Sequence, residues 1–310
     1  MRLTRLTHSR KFCCLFCCFI TSLLFLPVTQ AFAQESTAKT APKPQSQDKK
    51  DATGSDTPRP KAAPDDKSDS KPEDKSPPAV NPGRPTISDP AALTAPGWLE
   101  TEFGIQQDLN RDRIFGTPLL LKLTDRNHRL QYRLASDGYL RLGDRTDGIG
   151  DTYAGLHYLL TPMTKSGFDI AARFTLKFPT ARRPLGGTQK FDPGALLVAS
   201  RDFTKWGLHG DFNLGLSSLS RTALRGTDTL MLLTASFTVP IRGGRWAYTN
   251  ELVYTSPILG QRSSVTTMHG FTYAVHRYEV YDVALQWGLH GDGASFQILF
   301  GRTFFLAKLF

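Results

Sequence analysis

The sequence predicts an all-β fold: an antiparallel, up-and-down transmembrane β-barrel of about twelve strands, preceded by a disordered linker. Three observations carry that expectation. An export signal opens the chain, a two-residue apolar period fills its last two thirds, and the links between periodic segments alternate short and long.

The export signal comes first. Arg2, Arg5, Arg10 and Lys11 stand ahead of an apolar run from Phe12 to Leu26, and Ala31-Phe32-Ala33 follows. That order of charge, grease and small residues is a secretory signal peptide over 1–33, with cleavage expected after Ala33. The run of about 15 apolar residues is shorter than the roughly 20 a spanning helix needs. All four cysteines, Cys13, Cys14, Cys17 and Cys18, lie inside it, so the mature chain is expected to carry no thiol. Removal of 1–33 lowers the formal net charge from +10 to +6. The remaining cations are scattered, so no nucleic-acid partner is expected.

Composition shifts abruptly at Glu35. Residues 35–96 hold 12 of the 20 prolines, no aromatic residue, and 10 basic against 10 acidic side chains. So little apolar surface cannot offset the entropy of ordering a chain. The expected organisation is therefore a Pro/Lys/Asp/Ser-rich disordered linker over 34–96, on the periplasmic side, and a barrel over 97–310.

Alternation dominates the remainder. Phe168, Ile170, Ala172, Phe174, Leu176 and Phe178 interleave with Asp169, Ala171, Arg173, Thr175 and Lys177, so one strand face is greasy and the other largely polar. The same period predicts strands at 98–109, 116–125, 128–135, 152–161, 168–178, 195–202, 206–217, 229–239, 245–255, 264–275, 278–289 and 295–305. Most match the roughly 9–11 residues a tilted strand needs to cross hydrocarbon. The sixth, 195–202, alternates poorly. Links after even strands are short, as at Arg126-Asn127 and His276-Arg277, whereas 136–151, 179–194 and 218–228 follow odd strands and are long; the link between the eleventh and twelfth strands is a short exception. Membrane barrels sort their loops in this way, with short turns on one side and long loops on the other.

Alternation also suits a soluble barrel, but twelve strands enclose a lumen that about eight would fill with side chains. Trp98, Trp206, Trp246 and Trp287 near strand ends fit the aromatic girdles of a membrane barrel. The expected location is the outer membrane of a double-membraned bacterium. The expected partners are its lipid and the barrel-assembly machinery, which would read a last strand ending in Phe310. Lys308 interrupts that terminal apolar pattern.

Several segments carry a resemblance. Gly148-Ile149-Gly150-Asp151 followed by Ala154–Leu160, Phe178-Pro179-Thr180 with Arg182, His209–Leu216, and Thr117-Pro118-Leu119 through Leu130 resemble the MetA-pathway-of-phenol-degradation family of outer-membrane barrels. The resemblance covers roughly 98–310 and implies a transporter-like barrel.

Little else in the sequence points to chemistry. Gly148–Asp151 lacks the Gly-Lys-Ser/Thr of a phosphate loop and reads as a turn before a strand. His128, His157, His209, His269, His276 and His290 show no metal spacing, and no cofactor is expected. His290 and Ser295 flank a hairpin tip rather than forming a nucleophile–base pair, so a lipid hydrolase is the remote alternative and no catalytic residue is predicted. If the apolar face meets lipid, Lys122, Arg129, Arg133, Asp169, Arg173, Lys177, His209, Asp211 and Asn213 line the lumen. Two readings stay open. In a channel for small solutes, hydrophobic or anionic, their basic excess favours anionic or polarised ones; alternatively they pair with one another and plug a structural or binding barrel without flux.

Overall fold

The computed structural model describes residues 77–109, 114–143, 146–162, 167–182, 185, 189–221, 226–241, 243–258, 263–291 and 296–310. The expected signal peptide and residues 34–76 of the expected linker lie outside the described residues.

Among the described residues, fifteen strands form one sheet, and three of them are short: Phe115–Gly116, Tyr139–Leu142 and Thr146–Ile149. The other twelve are β1 (Trp98–Asp108), β2 (Leu119–Thr124), β3 (Leu130–Ser136), β4 (Thr152–Thr161), β5 (Asp169–Phe178), β6 (Asp192–Phe203), β7 (Leu208–Arg221), β8 (Gly226–Ile241), β9 (Trp246–Pro257), β10 (Ser264–His276), β11 (Glu279–His290) and β12 (Gln297–Lys308). Each pairs antiparallel with its chain neighbour, and β12 closes on β1 from Trp98↔Lys308 to Asp108↔Gln297. A closed barrel leaves no edge. All twelve strands fall where the alternation predicts them.

The barrel has two unlike ends. Links 125–129, 162–168, 204–207, 242–245 and 277–278 join strands at the end where β1 starts and β12 finishes, the short-turn end. Links at the other end, the loop end, include 109–118, 137–151 and 179–191. The predicted long loop at 218–228 is shorter, because β7 and β8 stay paired as far as Arg221↔Gly226. The wall is lowest at β2 and β3, with six and seven residues. There the three short strands build it up, starting on β1 at Gln106↔Gly116. Tyr139–Ile149 falls within the long link expected at 136–151, because its alternation is too brief to register as a strand.

Burial is inverted relative to a soluble fold. Phe174, Tyr132 and Phe300 are each 51% exposed on the outer wall, while Glu100, Glu251 and Thr303 are 0% exposed on the inner one. A water-soluble protein buries the first group and hydrates the second. Aromatic pairs ring the short-turn end, where Trp98 meets Phe305, Phe203 stacks on Trp206, and Trp246 lies 4.6 Å from Tyr273.

Part of the expected linker is not outside the barrel. Residues 77–97 belong to the compact unit Ser70–Phe310 and run through the lumen. Val80 N–H donates to Arg277 O (2.9 Å) in one short turn, and Pro96 bridges to Thr124 beside another. Between these points the chain bonds to inward-facing groups of nearly every strand, which is possible only from inside. Among the described residues, the part packed with the barrel therefore begins at residue 77 and not at 97. The physical reason is that this segment is held by polar bonds, and those leave no hydrophobic signature in a sequence.

Candidate functional site

The lumen is built by the inward set of each strand, and residues 77–97 fill its short-turn half. At the bottom, the Lys122 ammonium donates to Glu102 Oε1 (2.5 Å) and Asn81 O (2.6 Å) and forms an ion pair with Glu100 Oε1 (2.5 Å). The buried cation is thus held by two carboxylates and a main-chain carbonyl. Both carboxylates then take backbone N–H groups of the plug: Asn81 N to Glu100 Oε2 (2.9 Å) and Gly83 N to Glu102 Oε1 (2.8 Å).

Arg84 is the next anchor. It pairs with Asp282 and donates to Phe300 O (3.1 Å). Its guanidinium presses against the bare backbone of Gly104 and Gly301, which face each other across β1 and β12. A Cβ at either glycine would overlap it. On β10, Gly270 leaves the same room for Pro85, whose Cγ would lie 2.7 Å from a Cβ there. These glycines shape the lumen around one particular segment.

Glu251 holds the middle of the plug. It accepts Ile87 N (2.9 Å), Ser88 N (2.6 Å) and Ser88 Oγ (2.6 Å), and Ser88 Oγ also lies in hydrogen-bond contact with Thr234 Oγ1 (2.7 Å). Asp89 follows. Its carboxylate bridges Arg133 (3.0 Å) and Arg173, and its backbone N–H and C=O engage both ends of the Asn213 amide (2.7 and 3.0 Å). Ala91 N–H donates to Ser200 Oγ (2.8 Å), and the Ala91 methyl packs on Ala171, Leu196 and Val198. That apolar contact explains why the sixth strand alternates poorly. Its inner face is greasy where it meets the plug. Thr94 then bonds Thr124 (3.0 Å) and Gln131 (3.3 Å) as the segment leaves.

The loop half is open. A cavity of about 480 Å³ is lined by Thr175, Lys177, Leu185, Leu196 and Leu232 among others, and one of about 270 Å³ rests on Thr86, Ile87 and Asp89. Both are bordered by Asp137, Tyr153 and Arg173, so they are lobes of one chamber above the plug. The Tyr153 hydroxyl donates to Asp137 (3.2 Å), and Lys177 pairs with Asp192 (2.7 Å) and Asp151 (3.6 Å). Asp137, in the link after β3, has its carboxyl raised above the ordinary range by burial. Asp151 also accepts Ala181 N (3.0 Å) and so pins the link after β5, while Gly148 and Ile149, expected in a turn, end the short strand Thr146–Ile149.

Of the predicted lumen residues, Lys122, Arg133, Arg173, Lys177, Asp211 and Asn213 stand on the inner wall in the bonds given. Asp169 opens β5 in register with inward Ser200. His209 lies between Asp202 (2.6 Å) and Asp211 (3.0 Å) near the short-turn end. Arg129 is different. It is exposed in the 125–129 turn, where Asp125 caps its N–H (3.2 Å), because β3 begins one residue later. The inner carboxylates Glu100, Glu102, Asp151, Asp192, Glu251 and Asp282 were missed. All but Asp151, which lies in the link before β4, alternate with outward neighbours on their strands, and that period could have found them. With them included, the basic excess that favoured anions is gone. Ser200 and His209 both bond Asp211 Oδ1 rather than each other, which does not make an activated nucleophile.

No protein-family profile matches the chain, and no curated protein matches it. Solved structures do resemble it. The COG4313 outer membrane channel from Pseudomonas putida F1 is 12% identical over 73% of this chain and 100% of that one, with a TM-score of 0.51. The NanC porin is 11% identical over 66% of this chain and 98% of that one, with a TM-score of 0.50. At such identity the likeness is one of fold.

Proposed function

We propose that this chain is an outer-membrane channel for small solutes, held shut from the short-turn side by its own residues 77–97. The observation that carries the reading is the plug itself, bonded to inward groups around the barrel. The inverted wall supports the membrane location, because an outer face of Phe, Leu and Tyr is at home in hydrocarbon. The fold shared with a porin and an outer membrane channel supports it too. Val80 is bonded at the short-turn end, and that side, with its short links, is read as the periplasm. Phe310, whose ring lies under Arg126, is proposed as the mark read by the assembly machinery. Kinship with the MetA-pathway family stays a proposal on the segments that resemble it.

The filled lower lumen also favours a second reading, a binding barrel without flux. Planar-bilayer recording separates the two. The intact mature chain should conduct poorly, and a chain lacking 77–94 should open a larger, steady conductance. Equal silence from both would leave the binding barrel.

A further inference from the structure

The Asp89 contact has the form of a ligand in a receptor. Two guanidiniums from different strands each take one oxygen of the same carboxylate, while Asn213 grips the backbone beside it. The contact is unsaturated on both sides, since Asp89 Oδ2 is itself buried without a hydrogen-bond partner among the described residues. Arg173 Nε and His157 Nε2 are buried without a hydrogen-bond partner among the described residues, and His157 Nδ1 sits 3.5 Å from Arg133. An arginine carries five N–H donors, so a carboxylate side chain leaves part of this set idle.

The pair also faces the chamber. Arg173 borders both lobes, and Arg133 and Asp89 border the smaller one. From these observations we propose that Arg133 and Arg173 form a binding site for a monocarboxylate with an apolar body, and that Asp89 occupies it as an internal competitor. The inference rests on the channel reading and names the solute class that would bind above the plug. Leu185, Leu196 and Leu232 offer the apolar body a wall. Asp137, Asp151 and Asp192 stand across the chamber, and Lys177 is already held by two of them, so further negative charge on the solute would be repelled.

The test uses the mature full chain in detergent micelles, with benzoate as probe and benzyl alcohol as its neutral control. A tethered competitor acts at a millimolar-range effective concentration, so its removal should tighten benzoate binding by about tenfold or more. Calorimetry of Asp89→Asn should show that gain, and Asp89→Glu, which restores a carboxylate, should return binding toward wild type. Adding Arg173→Gln to Asp89→Asn should abolish the gain, and benzyl alcohol should bind alike in all. Benzoate affinity indifferent to Asp89→Asn, or a gain that survives Arg173→Gln, overturns the proposal.

If Asp89→Asn yields no heat-modifiable barrel, the otherwise native chain answers instead. Ile87→Cys is half exposed at the chamber floor, and benzoate should speed its reaction with a water-soluble maleimide by dislodging Asp89. An unchanged rate overturns the proposal. A conductance that depends on the plug, with no benzoate effect, removes this inference and leaves the channel standing. Benzoate binding that depends on Asp89 in a barrel that never conducts keeps the site and removes the channel.

Discussion

The two halves of the lumen satisfy their polar walls by different means. In the short-turn half, barrel carboxylates are satisfied by the backbone of residues 77–97, as Glu100, Glu102 and Glu251 show. In the loop half the barrel satisfies itself, through Lys177 with Asp151 and Asp192 and through Tyr153 with Asp137. The first half needs the plug to be complete, and the second does not. A polar lumen can therefore hold a removable part, because the groups it leaves behind can be hydrated, which an apolar core would not permit.

Breaking the lower half should have the largest effect. Lys122→Met leaves Glu100 and Glu102 facing each other at 0% and 3% exposure, and losing one partner of a buried ion cluster costs about 3–5 kcal/mol. The denaturant midpoint of the refolded barrel should fall accordingly. Glu251→Gln weakens three bonds to Ile87 and Ser88, and bonds to a charged group are worth about 1.5–3 kcal/mol each. Here conductance should rise more than stability falls, since the loss is of the plug and not of the wall. In the upper half, Tyr153→Phe removes one bond to Asp137, worth about 1 kcal/mol, and should leave the closed conductance as it was. An increase comparable to that of Glu251→Gln would erase the distinction between the halves.

The smallest effect is on pH. The Asp137 carboxyl is raised by burial, so the folded barrel holds this proton more tightly than the unfolded chain. Its contribution is greatest below the usual aspartate range and declines as pH rises through the raised value. Asp137→Asn should flatten that decline in midpoint-versus-pH curves. A slope unchanged by the substitution would place the titration elsewhere.

The outer wall was legible in the sequence because lipid-facing positions must be apolar at every second residue, as in β5 from Ile170 to Phe178. The inner wall was only half legible. Arg133 and Arg173 stood out against their apolar neighbours, whereas Glu100 and Glu102 sit in the less regular Trp98–Asp108 and passed unnoticed. Residues 77–97 were illegible because they bind mainly through main-chain N–H groups of Asn81, Gly83, Ile87, Ser88, Asp89 and Ala91, which any sequence possesses. The one trace was negative. Leu196 and Val198 spoiled the alternation of β6, and they do so to meet Ala91.

The occupancy of the lumen by the chain's own segment is tested most directly by a disulfide. Ser88 Oγ and Thr234 Oγ1 are 2.7 Å apart, and every native cysteine lies within residues 13–18, in the segment expected to be removed. Ser88→Cys with Thr234→Cys in the mature chain should therefore cross-link on oxidation, giving one band of altered mobility on unfolded gels. In bilayers the oxidised protein should stay closed, and reductant should raise its open probability above that level. Failure of the pair to cross-link, or a conductance indifferent to oxidation and reduction once it has, would contradict a plug made of residues 77–97.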